Sequence, residues 1–364
     1  MKYFFILGRN PELSRAEIFS YFEARKISFE EILFEDNFLI LELKGDINLN
    51  IQEFGGIIML GKINFSGERK EILGFIEKDE LISADKFSFN VIGNYDIEQE
   101  IYEKFKKEGR KTMLRHGRGE LKIQDKETIE LPNADFHIFC HKSNKIYFGL
   151  INQVFSHKKV KERDMKKPFR REELAISPRL ARILINLSQT KEKQILLDPF
   201  CGIGGILQEA MLKNINVRGI DKDKRAIMQA KQNLDWLKKN YKIISSYELK
   251  ILDSKNLADL YFDGVAAEPN LGELVKKKLR MQEAQSFIKK FENSIIPVLQ
   301  RLKKIKNQEV KIAITFPYIR NLSVSINNVL TKTGLHLSAL KGVKFPIKEF
   351  RPDQFVSREI WVFV

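Results

Sequence analysis

Residues 194–205 read QILLDPFCGIGG, in which a short apolar run leads into a turn rich in glycine. The run Gln194–Leu197 predicts a strand, and Ile206–Leu212 behind the glycines predicts a helix. Glycines at such a turn let the backbone approach a ligand closely and leave the N-terminus of the helix facing it. A strand, turn and helix in this order are typical of an open α/β sheet, which binds its ligands at the carboxyl ends of its strands.

Strands and helices alternate on both sides of this turn. Helices are predicted at Pro178–Ser188 and Asp223–Lys239, and strands at Val217–Ile220, Glu248–Leu252, Asp263–Ala267 and Val310–Phe316. Alternation of this kind predicts a parallel sheet covered by helices on both faces. The segments Leu335–Lys341 and Ile360–Val364 predict an antiparallel pair that closes the sheet.

Three acidic residues stand at successive strand ends. Asp198 follows the first strand, Asp221 the second and Asp253 the third, so a nucleoside could lie across this edge of the sheet. The glycine spacing is not G-x-G-x-x-G, and the chain has no Gly-Lys-Ser/Thr phosphate loop. An acid just before the loop opposes a pyrophosphate but suits the ammonium of a methionine group. The pattern therefore favours S-adenosylmethionine over a dinucleotide, with an ordinary strand–turn–helix as the remaining alternative.

The first 155 residues predict two small α+β units. Residues 1–65 show a β-α-β-β order, with strands at Tyr3–Leu7, Ile27–Phe34 and Phe38–Leu43, which is typical of a ferredoxin-like unit. Residues 66–155 predict a second unit, with strands at Phe87–Ile92, Asp135–Cys140 and Lys145–Asn152 and a helix at Ile97–Lys107. No cluster of Cys, His or Ser in the first 65 residues suggests chemistry.

The positive charge is concentrated after residue 100. The chain carries a net charge of +15, but residues 1–100 carry −8 and residues 101–364 carry +23. Such a field favours a nucleic-acid partner over mere solubility in a lysine-rich proteome. Much of the positive charge lies in two segments, a predicted loop at Lys104–Gly119 and a predicted linker or surface arm at residues 156–175. For both segments the alternative is a solvated surface that binds no nucleic acid. The candidate nucleic-acid-binding residues are Lys111, Arg115, Arg118, Lys158, Lys159, Lys161, Arg170 and Arg171.

The remaining composition excludes several classes of protein. Only two cysteines, Cys140 and Cys201, are present, which excludes a disulfide scaffold. No apolar run approaches the length of a membrane span, and the run Tyr3–Leu7 is too short for a signal peptide. We therefore expect a cytoplasmic protein. His137 and His141 are too far apart along a strand to share a metal, so no metal site is predicted.

Three segments resemble one known family. DPFCGIGG at 198–205, followed by GIDKD at 219–223, resembles motif I and the next acidic site of class I S-adenosylmethionine-dependent methyltransferases. ISPRLARILINLS at 176–188 and YFFILGRNPELSRAEI at 3–18 resemble the tRNA guanosine-N2 methyltransferases with a THUMP domain, similar to the archaeal and eukaryal enzymes that act on guanosine 10 of tRNA.

The resemblance implies an α/β protein in four parts. These are a ferredoxin-like domain at 1–65, a THUMP-like RNA-binding domain at 66–155, a basic linker at 156–175 and a Rossmann-like methyltransferase domain at 176–364. It implies tRNA as the partner and leaves open whether a small activating protein also binds. The candidate cofactor-binding residues are Asp198, Phe200, Cys201, Gly202, Gly204, Asp221, Lys222, Asp253 and Ser254. Cys201 has a second interpretation as a nucleophile, but its place inside the loop favours a packing role.

The family's catalytic motif, Asp/Asn-Pro-Pro-Tyr/Phe, is altered here to Glu268-Pro269-Asn270-Leu271. A side-chain oxygen and a carbonyl orient the lone pair of an exocyclic amine towards the methyl donor. Glu268 and Pro269 retain both acceptors, but no residue of the motif can stack on an extruded base. Phe200, Phe169 and Tyr318 are candidates for that task. The alternative is an RNA-binding protein of the same fold that is inactive or acts on another target. A methyltransferase that acts on DNA adenine or on a protein amide is disfavoured, because the N-terminal segment resembles enzymes with a THUMP domain.

Overall fold

A computed structural model describes residues 1–115, 133–170, 176–270, 279–350 and 355–364. Contacts divide the chain into two compact units. The first comprises residues 1–11, 28–52 and 57–155, and the second comprises residues 12–27, 53–56 and 156–364. Within the described residues, no helix is both long enough and apolar enough to cross a membrane.

The elements up to residue 170 are eight strands, four α-helices and a short 3-10 helix at Ile51–Glu53, counted over the described residues. The strands are β1 Lys2–Leu7, β2 Phe29–Glu35, β3 Phe38–Leu43, β4 Ile57–Gly67, β5 Lys86–Ile92, β6 Lys111–Leu114, β7 Phe136–Lys142 and β8 Ile146–Val154. The helices are α1 Pro11–Ala24, α2 Arg69–Lys78, α3 Glu98–Lys107 and α4 His157–Lys166.

One sheet runs through the first unit, in the order β2-β3-β1-β4-β8-β7-β5-β6. Its pairs are antiparallel except for those of β5, which runs parallel to both β6 and β7. The proposed boundary between residues 65 and 66 falls inside β4, which pairs with β1 on one side and β8 on the other. The division into a ferredoxin-like and a THUMP-like module therefore stays a prediction.

Two basic segments carry more regular structure than the sequence indicated. The loop predicted at Lys104–Gly119 contains β6, because Leu114 packs against the apolar cluster under β5 and the strand extends that sheet edge. Half of the predicted linker at 156–175 is the helix α4. The side chain of Ser156 caps this helix by accepting from the N–H of Lys159, and Val160 is buried.

The second unit holds the predicted α/β sheet. Its remaining strands are β9 Ile195–Asp198, β10 Asn216–Asp221, β11 Tyr247–Ile251, β12 Gly264–Ala267, β13 Ile312–Tyr318, β14 Ile347–Glu349 and β15 Ser357–Phe363. Its remaining helices are α5 Pro178–Leu187, α6 Gly205–Met211, α7 Lys224–Tyr241, α8 Met281–Ile305 and α9 Ile326–Thr333. The strand order is β11-β10-β9-β12-β13-β15-β14.

The parallel, Rossmann-like part of this sheet is confirmed. The five strands from β11 to β13 are parallel, and a core of buried side chains lines the sheet beneath α8 and α9. The closing antiparallel pair differs from the prediction. β15 lies between β13 and β14, and β14 begins at Ile347. Residues 335–341 are not a continuous strand, but part of the predicted antiparallel pairing is present. His336 exchanges backbone hydrogen bonds with Val364, the N–H of Ser338 donates to the carbonyl of Val362, and Leu337 forms an isolated bridge with Phe363.

Candidate active site

Four carboxylates follow four neighbouring strands at one edge of the second sheet. Asp198 ends β9 and Asp221 ends β10, while Asp253 lies two residues after β11 and Glu268 directly follows β12. These strands are parallel and adjacent in the order β11-β10-β9-β12, so their carboxyl ends share one edge. The chain order of the strands reverses at β9, which is the point at which α/β sheets bind ligands.

The glycine-rich turn is held by the carboxylate of Asp221. Gly202 and Gly204 have φ values of 51° and 85°, a left-handed conformation that glycine adopts without strain. The N–H of Gly202 donates to Oδ2 of Asp221 over 2.9 Å, and the N–H of Asp223 donates to Oδ1 over 2.9 Å. Each oxygen retains a lone pair, so the same carboxylate can still accept from two hydroxyl groups.

Asp198 is the most deeply buried of the four acids, with 2% of its surface exposed. Burial raises the pKa of its carboxyl well above the usual range, and the charges of Asp221 and Glu268 act in the same direction. The N–H of Phe200 opposes this by donating to Oδ1 over 3.0 Å. A cation beside Asp198 would stabilise its ionised form, which suits the ammonium of an amino acid group.

The other predicted cofactor residues surround this turn. Ser254 is buried, and its hydroxyl donates to the carbonyl of Pro199, which ties the end of β11 to the turn. Asp253 accepts from the N–H of Lys255 over 3.0 Å. Phe200 is half-buried and Lys222 is exposed.

Cys201 packs beneath the turn. It is buried, and a Cβ added at Gly219 would lie 3.0 Å from its sulfur. Burial raises the pKa of the Cys201 thiol, with the charges of Asp198 and Asp221 acting in the same direction. A protonated, buried thiol supports the packing interpretation over that of a nucleophile.

These residues fit a nucleoside with a cationic tail. A Cβ added at Gly202 would meet no atom within 4 Å, so the turn has open space beside it. The side chains offered along the edge are carboxylates, which accept from ribose hydroxyls, an adenine amine and an ammonium. This set of acceptors thus suits S-adenosylmethionine.

Glu268 is paired with an arginine that sequence reasoning missed. Its Oε1 accepts from Nε of Arg358 on β15, and the two side chains are only 10% and 8% exposed. Pro269 is buried and Asn270 is exposed, while Leu271 lies outside the described residues. No local pattern could identify Arg358, because the predicted C-terminal strand began two residues after it.

A second missed residue, Asn233 of α7, joins the turn to the segment after α4. Its amide accepts from the N–H of Phe169 over 2.9 Å and donates to the carbonyls of Phe169 and Ile203. Asn233 is fully buried, and Ile203 stands between the two left-handed glycines. An asparagine on the inner face of a long helix was the signal available in the sequence.

A buried ion-pair cluster makes a further connection. Glu209 of α6 accepts from Arg163 of α4 over 2.6 Å and from Arg182 of α5 over 2.7 Å. The predicted basic linker is therefore anchored beside the helix that follows the glycine-rich turn.

The candidate RNA-binding residues fall into two groups. Lys111 and Arg115 are exposed in the first unit. In the second unit, Lys158, Lys159 and Lys161 are exposed on α4, while Nε of Arg170 lies 3.9 Å from Asp164. Arg118 and Arg171 lie outside the described residues.

Two methyltransferase families match the chain. A family described as "RMKL-like, methyltransferase domain" matches residues 168–305, and one described as "DNA methylase" matches residues 13–232. Both matches include the glycine-rich turn and the strand that ends at Asp221.

The curated relatives carry a common name. A tRNA (guanine(10)-N2)-dimethyltransferase from Pyrococcus abyssi is 27% identical over 75% of this chain and 78% of that protein. A "Probable tRNA (guanine(10)-N2)-dimethyltransferase" from Methanothermococcus thermolithotrophicus is 33% identical over 29% of this chain and 67% of that protein. Among solved structures, TrmN from Thermus thermophilus has the same fold, with a TM-score of 0.54 and 13% identity, over 100% of this chain and 99% of TrmN.

Proposed function

This chain belongs to the family of tRNA (guanine(10)-N2)-dimethyltransferases and to the broader methyltransferase family described as DNA methylase, and from that membership we propose its reaction. It transfers a methyl group from S-adenosylmethionine to the exocyclic N2 amine of a guanosine in tRNA, with guanosine 10 as the target, in the cytoplasm. The observation that carries this proposal is the row of Asp253, Asp221, Asp198 and Glu268 on four adjacent strand ends.

The first three of these acids bind the cofactor. Asp221 accepts from the ribose hydroxyls with the lone pairs that the backbone leaves, and Asp253 accepts from the adenine amine. Asp198 pairs with the ammonium of the methionine group, and the open side of Gly202 gives that group room. When bound, the cofactor supplies an electrophilic methyl group.

Glu268 orients the target amine. One carboxylate oxygen is held by Arg358, which leaves the other to accept from an N–H of the guanine amine. The carbonyl of the Glu268-Pro269 peptide accepts from the second N–H, so the nitrogen lone pair faces the methyl group. The extra methylene of Glu, compared with the Asp of the family motif, is accommodated because Arg358 fixes the end of the side chain.

The basic residues hold the RNA by its phosphates. Lys158, Lys159 and Lys161 form one exposed group on α4, and Lys111 and Arg115 form another in the proposed THUMP-like module at 66–155. Phosphate contacts position the substrate without reading its sequence. The choice of guanosine then depends on how the two groups hold the tRNA.

The proposal is tested with three proteins. Wild-type protein, Asp221→Ala and Glu268→Ala are incubated with labelled S-adenosylmethionine and tRNA, and cofactor affinity is measured by calorimetry. We expect Asp221→Ala to weaken cofactor binding and Glu268→Ala to abolish transfer while it still binds cofactor. Transfer by Glu268→Ala at the wild-type rate would exclude Glu268 from the site.

A further inference from the structure

Two aromatic residues stand at the same sheet edge as Glu268. Tyr318 is the last residue of β13, and Phe350 directly follows β14. Both strands are antiparallel to β15 and so run in the same direction, which brings their carboxyl ends to the edge that carries the four acids.

Arg358 lies on β15, between the two strands that carry this aromatic pair. In the register of the sheet, Arg358 lies opposite Pro317 on one side and Glu349 on the other. Tyr318 and Phe350 are the residues immediately after these two partners. The aromatic pair therefore lies at the same strand ends as Arg358, whose Nε donates to Glu268.

The geometry of the pair fixes Tyr318 and leaves Phe350 accessible. The two rings are 5.8 Å apart at 83°, an edge-to-face contact, and the Tyr318 hydroxyl donates to Asn321 over 2.8 Å. Nζ of Lys348 lies 4.0 Å from the centre of the Tyr318 ring. Phe350 is 54% exposed, whereas Phe200 and Phe169 are half-buried.

We propose that Phe350, braced by Tyr318, stacks on the extruded guanine of the tRNA and so supplies the platform that the altered motif at 268–271 lacks. This inference rests on the proposed function. An exposed phenyl ring is poorly solvated, and a purine base has a flat π-face that can cover it. The ammonium of Lys348 beside the ring complements the phosphate of the extruded nucleotide.

Substitution of this exposed residue tests the proposal without disturbing the core. We expect Phe350→Ala to lower kcat/KM for tRNA by about 10-fold, with the affinity for S-adenosylmethionine unchanged. Phe350→Trp keeps a ring and should restore most of the activity. Tyr261→Ala is the matched control, because Tyr261 is also exposed but lies before β12, at the opposite edge of the sheet.

A fluorescent base reports stacking directly. The guanosine that the wild-type protein methylates is replaced by 2-aminopurine, which keeps the exocyclic amine and is quenched when stacked. We expect the complex with Phe350→Ala to be brighter than those with the wild-type protein and with Tyr261→Ala. Equal fluorescence and equal kcat/KM for the wild-type protein and Phe350→Ala would overturn the proposal.

The same experiments separate a failure of the proposed function from a failure of the stacking role. If wild-type protein binds S-adenosylmethionine but labels no guanosine in tRNA, the proposed function fails and the stacking role falls with it. If wild-type protein labels guanosine and Phe350→Ala does so equally well, the stacking role alone is wrong.

Discussion

Glu268 and Arg358 form a nearly buried ion pair between residues that are 90 positions apart in the chain. Glu268 follows β12, a central strand of the sheet, and Arg358 is the second residue of β15, which lies between β13 and β14. The pair explains how a glutamate can serve where the family motif has a shorter acid, because its carboxylate is held from one side. The sheet thereby sets the orientation of Glu268, which we propose accepts a hydrogen bond from the target amine.

Replacement of Arg358 should consequently lower kcat, because Arg358 orients the carboxylate of Glu268. We expect Arg358→Met to lower kcat by about 10-fold or more, since the freed carboxylate is no longer oriented. Loss of one partner of a buried pair also destabilises the fold, by about 3–5 kcal/mol. Thermal unfolding is therefore measured beside kcat, and Glu268→Gln with Arg358→Met completes a double-mutant cycle. Additive effects on kcat would show that Arg358 does not act through Glu268.

Cofactor affinity should depend on pH through Asp198. Its pKa in the folded protein lies above its ordinary value of 3.8, so the folded protein holds this proton more tightly than the unfolded chain. Below pH 3.8 this contribution to stability is complete, and it is lost as pH rises through the raised pKa. An ammonium next to Asp198 favours the ionised form, so cofactor affinity should rise over the same range.

Calorimetry in buffers of different ionisation enthalpy checks this expectation. Wild-type protein should release a proton on binding S-adenosylmethionine at mildly acidic pH. Asp198→Asn should bind more weakly and without that release. The same pH dependence in Asp198→Asn would assign the titration to another group.

Asn233 should affect the affinity for the cofactor, although it lies behind the glycine-rich turn. Asn233→Asp keeps the acceptor for the N–H of Phe169 but loses both donors, including the one to Ile203. We expect the dissociation constant for S-adenosylmethionine to rise by about 10-fold or more, because two buried carbonyls lose their partner.

Asn240→Asp is the matched control for this change. Asn240 lies on the same helix, is exposed, and also donates from its side-chain amide to a carbonyl, that of Trp236 over 2.8 Å. It should bind the cofactor as the wild-type protein does. Equal affinities for Asn233→Asp and Asn240→Asp would mean that Asn233 does not hold the turn.

The exposed lysines of α4 should set the salt dependence of tRNA binding. Each phosphate contact contributes about 0.7 to 0.9 to the slope of log affinity against log salt. Replacement of Lys158, Lys159 and Lys161 by Gln should lower the slope by about two to three. Binding isotherms over a salt series measure it, with Lys231→Gln as control, because Lys231 is exposed on α7 and pairs with Asp235. An unchanged slope in the triple variant would exclude α4 from the RNA interface.

The sequence predicted those features that depend on neighbouring residues. The turn at 198–205 and the acids Asp221 and Asp253 follow from strands that their own apolar runs define. Interactions between distant segments were not predictable in this way. β6 forms because Leu114 reaches the core under β5, and α4 is anchored by Glu209 from another helix.

The position of β14 shows the same limit. Residues 336–338 pair with the end of β15 as expected, but the edge strand beside β15 is Ile347–Glu349, which the sequence did not indicate. The pairing of Glu268 with Arg358 depends on that arrangement of the last strands. The sequence thus predicted the row of acids to which we assign the cofactor, while the pairing of Glu268 with Arg358, on the side that we propose faces the target base, is visible only in the folded chain.

We propose that this chain methylates the N2 amine of a guanosine in tRNA. The most direct measurement is transfer from labelled S-adenosylmethionine to total tRNA, followed by digestion and identification of the labelled nucleoside. We expect label in N2-methylated guanosine, formed by the wild-type protein and not by Glu268→Ala. Label in any other nucleoside, or no label from wild-type protein that binds the cofactor, would contradict it.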